Sequence, residues 1–368
     1  MELKNLKLIN FRNYSNLEIS FNKKVNIFIG ENAQGKTSML ESIYLMAISK
    51  SHKTYKDKEL IKFNEDFAKI CAEIIQTNDE VLNLEMIISK QGKKVSVNEV
   101  EKQKISEYIG KFNVVLFAPE DLDIVKREPA NRRKFLDVEI GQISPVYIHN
   151  LSQYNKILKQ RNEYIKHLKD SDVDIDYLDI LTIQLAELGA KILEKRKQFI
   201  SKLNKYANKL QHFISNNLED LQVKYLSTYD ICHTTEDIFN LYKSNYKSDL
   251  KRGTTQIGIH RDDIQFIVNE IDVSSFGSQG QQRTTALAIK LSLIDFIKDE
   301  TDQYPIVLLD DVLSELDDKR QTHLLDCIKE KVQTFVTTTN ISGIKSEIID
   351  KSDIFVIHNA KISRKEGV

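Results

Sequence analysis

The 368-residue sequence has no tryptophan, four prolines and only three cysteines. Cys71, Cys232 and Cys327 stand far apart without metal-ligand spacing, which argues against a disulfide framework or a cysteine zinc site. No apolar run approaches the roughly 20 residues needed to cross a bilayer, so no transmembrane helix and no membrane partner are expected. An excess of one charge is missing too: 53 Lys and Arg stand against 54 Asp and Glu. Total charge therefore advertises no nucleic-acid partner, and any such surface must come from local segregation of charge. The opening Met1-Glu2-Leu3-Lys4-Asn5-Leu6 alternates like a strand and lacks the apolar core of a secretory signal, which predicts a cytoplasmic protein. Arginine is scarce, 11 residues against 42 lysines. It is then expected mainly where a planar, multi-donor group is needed. Genomic base composition explains the bias, but not why Arg12, Arg132, Arg133, Arg161, Arg261, Arg283 and Arg320 fall within the segments described below.

What is present divides into three stretches. Residues 1–118 read as strands around one helix. The strands lie at 3–9, 17–21, 25–29, 67–75, 81–89, 93–97 and 113–117, and the helix runs from 36 to about 49. Residues 119–250 change to a helical period. Within 190–210, Ile192, Phe199, Leu203, Tyr206 and Leu210 share one helix face, and the acidic 170–176 reads as a connector between two long helices. Residues 251–368 return to strands at 254–259, 264–268, 306–309 and 334–338, with helices after Gln279 and from about Asp317. The expected architecture is α/β, with a head built from both chain ends (1–118 and 251–368) and a mostly α-helical lobe (119–250) inserted between them. That insertion is too short for a long coiled-coil arm.

Three motifs carry chemistry. Gly30-Glu31-Asn32-Ala33-Gln34-Gly35-Lys36-Thr37 fits G-x-x-x-x-G-K-[ST], a loop that cradles nucleotide phosphates. Its glycines let backbone N–H groups approach the anion. Lys36 can reach the β- and γ-phosphates, Thr37 can ligate Mg²⁺, and Ser38 follows on the same helix start. The loop follows an apolar strand and opens what reads as an amphipathic helix, the context this chemistry requires. Farther on, Ile306-Val307-Leu308-Leu309 ends in Asp310-Asp311, as expected of a buried parallel strand offering carboxylates at its C-terminal edge. Asp310 is the expected Mg²⁺ ligand. Asp311 is the expected catalytic carboxylate, orienting or deprotonating the attacking water, with Lys36 on the phosphates. The third motif, Phe276-Gly277-Ser278-Gln279-Gly280-Gln281-Gln282-Arg283, resembles the ABC signature: Ser278, Gly280 and Gln281 match its serine, second glycine and glutamine. A helix N-terminus carrying a hydroxyl and a glycine suits an anion. The resemblance implies that it serves the γ-phosphate held by another copy. Ser314-Glu315-Leu316-Asp317 stands where that superfamily's D-loop follows the catalytic acid. ATP should therefore drive a head-to-tail homodimer of ABC-type P-loop ATPase heads.

Over nearly its whole length the sequence also resembles the RecF family of bacterial repair proteins. The resemblance rests on Phe11-Arg12-Asn13-Tyr14, the phosphate loop through Leu40-Glu41, and Ser51-His52-Lys53. It continues through Pro119-Glu120-Asp121-Leu122, Arg132-Arg133-Lys134-Phe135-Leu136-Asp137, Gln160-Arg161-Asn162, His260-Arg261-Asp262-Asp263 and the motifs above. Three places depart from the family: Lys53 stands where arginine is common, Arg127-Glu128 fill a usually glycine-containing stretch, and Ile259 replaces a common proline. The resemblance implies an ATP- and Mg²⁺-dependent, weakly hydrolysing DNA-binding protein of recombinational repair and replication-fork maintenance. Its implied partners are a second copy, double-stranded and gapped DNA, and RecR, with RecO and RecA in the same pathway. The implied location is the cytoplasm, at the nucleoid. Arg12 is implied near the nucleotide base or phosphates, and Arg132 and Arg133 read either as ion pairs between lobes or as ligands. A hairpin network and a functional contact remain equal readings of His260–Asp263. No metal is expected there, because adjacent Asp262 and Asp263 in a strand face opposite ways.

Two lysine clusters are candidate DNA surfaces. Lys195, Lys202 and Lys209, with Lys191 and Lys205, lie opposite the apolar stripe. Arg196 and Lys197 bring the basic count in 189–212 to seven, against the single acid Glu194. Lys93, Lys94, Lys102 and Lys104 form the second cluster. Each also reads as the solvated face of a lysine-rich protein. The main alternative function is an ABC transporter ATPase subunit. The 240 residues between Thr37 and Ser278 are long for that class.

Overall fold

The structure is a computed structural model that describes residues 1–167, 175–230, 232–315, 321, 324, 328, 331–340 and 346–365. In chain order come β1 (Glu2–Phe11), β2 (Tyr14–Ser20), β3 (Val25–Ile29), α1 (Lys36–Ile48), β4 (Phe67–Ile75), β5 (Val81–Ser89), β6 (Gly92–Val97), β7 (Val100–Lys102), α2 (Ile105–Tyr108) and β8 (Val114–Phe117). Then follow α3 (Leu122–Lys126), α4 (Pro129–Ile143), α5 (Pro145–His167), α6 (Ile175–Ser215), β9 (Leu221–Leu226), α7 (Thr235–Ser244), α8 (Tyr246–Arg252), β10 (Asp263–Val268), β11 (Ile271–Asp272) and α9 (Val273–Phe276). The last are α10 (Gln279–Thr301), β12 (Ile306–Asp310), β13 (Thr334–Thr338), β14 (Ser352–His358) and β15 (Lys361–Arg364). These pack as two units, Met1–Leu122 with Ala286–Val368, and Asp123–Thr285.

The first unit holds two six-stranded sheets. One is antiparallel in the order β2-β1-β4-β5-β6-β7. Its strands β4 and β5 bury every second residue, so one face meets the core. The other runs β15-β14-β3-β13-β12-β8 and is parallel except for the β14–β15 hairpin. Strands β12 and β13 are buried along their whole length, as a parallel sheet covered on both faces requires. Phe21, Phe28, Phe335 and Phe355 stack edge-on and face-on against this sheet, with centroids 4.8–6.3 Å apart.

Helix α1 packs against β8, β12 and β13 as well as β4 and β5. The amphipathic helix expected from the sequence is therefore corrected: ten of its 13 residues are buried, among them Lys36, Glu41 and Ser42. Its polar positions imitate a solvent face, but protein partners satisfy them.

The second unit packs α5 along α6 and sets the antiparallel sheet β11-β10-β9 against α6 and α4. The sequence placed the lobe boundaries at 118/119 and 250/251, whereas the packing divides the chain after Leu122 and after Thr285. Residues 251–285 stay with the second unit because β10 pairs with β9 from Asp263↔Leu226 to Val268↔Leu221. Strand β9 lies inside the stretch read as helical; its alternation covers only six residues. The strand expected over 254–259 is an irregular turn instead. There Thr255 N–H donates to Asn162 Oδ1 (2.8 Å), Gln256 N–H donates to Asp249 Oδ1 (2.9 Å), and Gly258 has φ 126°. Side chains satisfy this backbone, so no ladder forms.

Most of the acidic connector 170–176 and of the helix expected from Asp317 lies outside the described residues. Among the described residues no helix is long and apolar enough to cross a membrane.

Candidate nucleotide site

Strands β3, β13, β12 and β8 lie side by side in parallel, so their C-terminal ends open on one edge of the sheet. The phosphate loop leaves β3 on that edge. Gly30 N–H donates to Thr338 O (3.3 Å), and a Cβ on Gly30 would stand 2.5 Å from the Ile357 carbonyl oxygen. A side chain there would force the loop off the sheet. At the other end Gly35 has φ 116°, and a Cβ would come within 2.9 Å of Asn13 Nδ2 and the Tyr14 hydroxyl. Both glycines of the motif are therefore sterically required. The β14–β15 turn pins the middle of the loop, with Asn359 N–H donating to Gln34 Oε1 (2.6 Å) and Ala360 N–H to Gln34 O (3.1 Å). The Tyr14 hydroxyl donates to Gly35 O (3.1 Å).

Lys36 is only 3% exposed, and its ammonium donates to Gly30 O (2.7 Å) and Glu31 O (3.1 Å) across the mouth of the loop. Its neighbour Thr37 donates to Asp310 Oδ1 (3.0 Å), which joins the loop to the end of β12. Between them lies β13, where Thr337 stands opposite Asp310 in the register. Thr337 donates to the same Oδ1 (2.9 Å) and accepts from Asp311 N–H (2.9 Å). The other oxygen, Oδ2, faces Lys53 Nζ (3.3 Å) and His52 Nε2 (4.0 Å). His52 packs edge-on against Tyr44, and burial pushes its pKa down, so the ring is neutral near pH 7.

Asp311 follows with φ 53° and joins Asn13, Glu31, Asn32, Ala33, Gly35, Lys36, Thr37 and Ser38 in lining a cleft. Burial raises the pKa of its carboxyl; Lys36 opposes that rise and Asp310 adds to it. A cleft of backbone N–H groups and one ammonium, edged by carboxylates and a threonine hydroxyl, suits a polyphosphate with a hard divalent cation.

A family model described as the RecF/RecN/SMC N-terminal domain matches residues 2–360. The chain belongs to that family. Among the curated proteins it is 52% identical to the DNA replication and repair protein RecF of Geobacillus sp. (strain WCH70), covering 99% of both chains. It is 51% identical to the protein of the same name from Geobacillus thermodenitrificans (strain NG80-2), again over 99% of each. Among solved structures it resembles the recombination mediator protein RecF with ATP, of the RecFOR pathway. The TM-score is 0.91 at 34% identity, covering 99% of this chain and 97% of that one.

Within this family frame, the remaining sequence candidates fall in different places. Arg12, also at positive φ (53°), forks onto Glu41 with distances of 2.8 and 2.6 Å and donates to Glu59 O (2.9 Å). Its guanidinium supports α1 from the β1–β2 turn, while Asn13, one residue on, lines the cleft. Ser278, Gly280 and Gln281 lie at the start of α10 in the second unit. Ser278 Oγ accepts from Gln281 N–H (3.2 Å), and Gln281 Oε1 accepts from Ser278 N–H (3.0 Å). The pair caps its own helix, yet the exposed Ser278 hydroxyl keeps its proton to donate. Of the D-loop candidate, Ser314 and Glu315 close a short 3₁₀ turn, and Leu316 and Asp317 lie outside the described residues.

The lysine clusters need two corrections. Lys93 has a side chain only 7% exposed, paired with Asp57 (2.7 Å) and donating to Ser49 O (2.8 Å), so it presents no surface charge. Lys94 and Lys104 are exposed and Lys102 half-buried, with Lys94 3.4 Å from Glu101. On α6, Lys195, Lys202 and Lys209 are exposed, as are Lys191, Lys197 and Lys205. Arg196 is 1% exposed and bonded to Asp137, Tyr147 and Ile259 O, so it drops out of the basic face.

Arg132 and Arg133 do not pair between lobes. Arg132 forks onto Asp263 (2.6 and 2.9 Å) and Arg133 donates to Asp262 O (2.8 Å), all within the second unit. Asp262 is buried and accepts from Thr228 N–H (2.9 Å), while Tyr154 shares a hydrogen bond with His260 Nδ1 (2.9 Å). These bonds tie His260–Asp263 into the packing of that unit. Among the described residues no group of three or more His, Cys, Asp or Glu side chains is placed to hold a metal.

Sequence reasoning passed over Thr337, His52, Lys53 and Asn13 as site residues. Thr337 carried a readable signal. The run Thr337-Thr338-Thr339-Asn340 ends an apolar strand with polar residues, as Asp310-Asp311 does.

Proposed function

We propose that this protein is an ATP-driven switch that binds DNA in recombinational repair and at replication forks. The carrying observation is the closure of Thr37 onto Asp310 at 3.0 Å, with Lys36 and Asp311 facing one cleft. Full-length similarity to RecF proteins, one of them solved with ATP, supports the assignment. In this reading residues 30–38 hold the ATP phosphates and Lys36 neutralises the β- and γ-phosphates. Asp311 orients the attacking water or takes its proton. Thr37 and Asp310 fit Mg²⁺, since both are hard oxygen donors and the hydroxyl keeps a lone pair while donating. When bound, Mg²⁺ supplies charge neutralisation at the phosphates.

Ser278, with Gly280 and Gln281, serves the γ-phosphate of a second copy, so ATP assembles a head-to-tail homodimer. That dimer binds double-stranded and gapped DNA. With RecR and RecO it promotes loading of RecA, and slow, DNA-stimulated hydrolysis resets it. The protein works in the cytoplasm, at the nucleoid. Similarity to repair proteins along the whole chain favours this over a transporter ATPase subunit. Sedimentation with and without ATP, repeated with gapped duplex, tests the reading. ATP should shift the protein to a dimer that carries DNA, and Lys36→Ala should stay monomeric. A Lys36→Ala protein that dimerises with ATP like its parent would refute the phosphate role.

A further inference from the structure

Asp310 is 2% exposed, and its two carboxylate oxygens are served differently. Oδ1 accepts from Thr37 (3.0 Å) and Thr337 (2.9 Å), which uses both of its lone pairs. Among the described residues Oδ2 accepts no hydroxyl. It faces the Lys53 ammonium at 3.3 Å and the neutral His52 ring at 4.0 Å. A cation approaching Asp310 therefore has Oδ2 left to it, and Lys53 already stands there. We propose that Lys53 is a built-in stand-in for the divalent cation, holding Asp310 Oδ2 whenever no metal ion does and withdrawing when one arrives.

The surroundings suit such an exchange. A buried carboxylate without a cation is costly, so a substitute has to be at hand. The Lys53 side chain is about a third exposed (36%), so its ammonium enters from the solvent side and can swing back into water. An ammonium is a flexible point charge, easier to displace than a two-pronged guanidinium. Its backbone, by contrast, is fixed: Lys53 N–H and Thr54 N–H both donate to Ser51 Oγ (2.9 and 3.1 Å). The tether stays put while the side chain moves. His52 lies beside the same oxygen, and neither ring nitrogen has a hydrogen-bond partner among the described residues. Its ring can accept or donate to water entering with the metal. Metal binding and the position of Lys53 are then one equilibrium.

The inference rests on the reading of Asp310 as the metal ligand, and the test separates the two. Mn²⁺ is titrated into the full chain without nucleotide, and free ion is followed by its paramagnetic resonance. Parent, Lys53→Met, Lys53→Gln and Lys53→Arg are compared. Removing one charge at this range should tighten Mn²⁺ binding by roughly tenfold or more in both neutral variants. Lys53→Arg should bind no more tightly than the parent. Calorimetry gives a second readout: the neutral variants should melt lower in EDTA and recover with Mg²⁺, and the parent should respond less. Unchanged or weaker Mn²⁺ binding in Lys53→Met and Lys53→Gln overturns the proposal. If Lys53→Met with Asp310→Asn still shows the gain, the metal binds elsewhere and the proposal also falls. If the parent with ATP takes up no more Mn²⁺ than the same ATP without protein, the assignment of Asp310 as metal ligand falls too.

Discussion

Replacing Thr337 with valine removes a hydroxyl while keeping the shape of a fully buried side chain. That hydroxyl donates to Asp310 Oδ1 (2.9 Å), with a longer contact to Leu309 O (3.4 Å), and accepts from Asp311 N–H (2.9 Å). A hydrogen bond to a charged acceptor is worth about 1.5–3 kcal/mol, and a buried donor left unpaired costs about 1–3 kcal/mol. The losses do not add in full, because Asp310 keeps Thr37 and Lys53. A net loss of about 2–3 kcal/mol is expected. For a unit of roughly 200 residues this lowers Tm by about 4–12 °C. Thr337→Ser is the informative partner: it keeps the hydroxyl and loses one methyl, about 0.8 kcal/mol plus a small cavity cost. Calorimetry on parent and both variants, without nucleotide, gives the comparison; the chain has no tryptophan to report by fluorescence. Serine should be clearly more stable than valine. If valine equals or exceeds serine, the hydroxyl does not hold Asp310 and Asp311, and the account of this edge is wrong.

Four further outcomes are expected. Arg12→Ala leaves Glu41, 2% exposed, without its cation and should cost about 3–5 kcal/mol by calorimetry; a loss below about 1 kcal/mol contradicts the support role. Burial lowers the His260 pKa to about 4, whereas the unfolded chain titrates near 6.5. Between those values the unfolded state binds more protons, so stability should fall as pH is lowered through that window, by up to about 1.4 kcal/mol per unit, and His260→Gln should flatten that slope. Ser278→Arg should keep ATP binding by the monomer and lose ATP-driven dimerisation; loss of monomer binding instead would show that Ser278 serves its own site. Lys195, Lys202 and Lys209 changed together to Gln should leave stability intact and lower DNA affinity. Each lost phosphate contact flattens the slope of log affinity against log salt by roughly 0.9, and an unchanged slope returns this face to plain solvated surface.

Elements that bury one face or both wrote themselves plainly into the sequence. Strands β3, β4 and β5 fall at the positions their apolar runs and alternation indicate, and the phosphate loop sits between β3 and α1. The misreadings share a physical cause: a polar residue paired in the core has the same letter as one in water. Glu41 and Ser42 gave α1 a polar face, yet Arg12 holds Glu41, and the Ser42 hydroxyl donates to Met39 O (2.7 Å). Arg196 looked like part of a basic stripe and lies in the core with Asp137. Lys93 looked like a DNA contact and is tied to Asp57. For Glu41, Arg196 and Lys93 the deciding partner is at least 29 residues away in the sequence.

The same reasoning explains which part of the site could be found and which could not. The motif residues are contiguous, because a loop around phosphates must come from one turn of backbone. The residues that position them come from strand neighbours, and neighbours are set by topology. Strand β13 separates β3 from β12, so the side chain opposite Asp310 stands where it can reach both the Asp310 carboxylate and the Asp311 backbone. Thr337 is able to do this because a hydroxyl donates and accepts at once. A valine would pack as well and connect nothing. Once the order β3-β13-β12 is known, the polar end of β13 is a required part of the site. From sequence alone it is only a strand that ends in threonines.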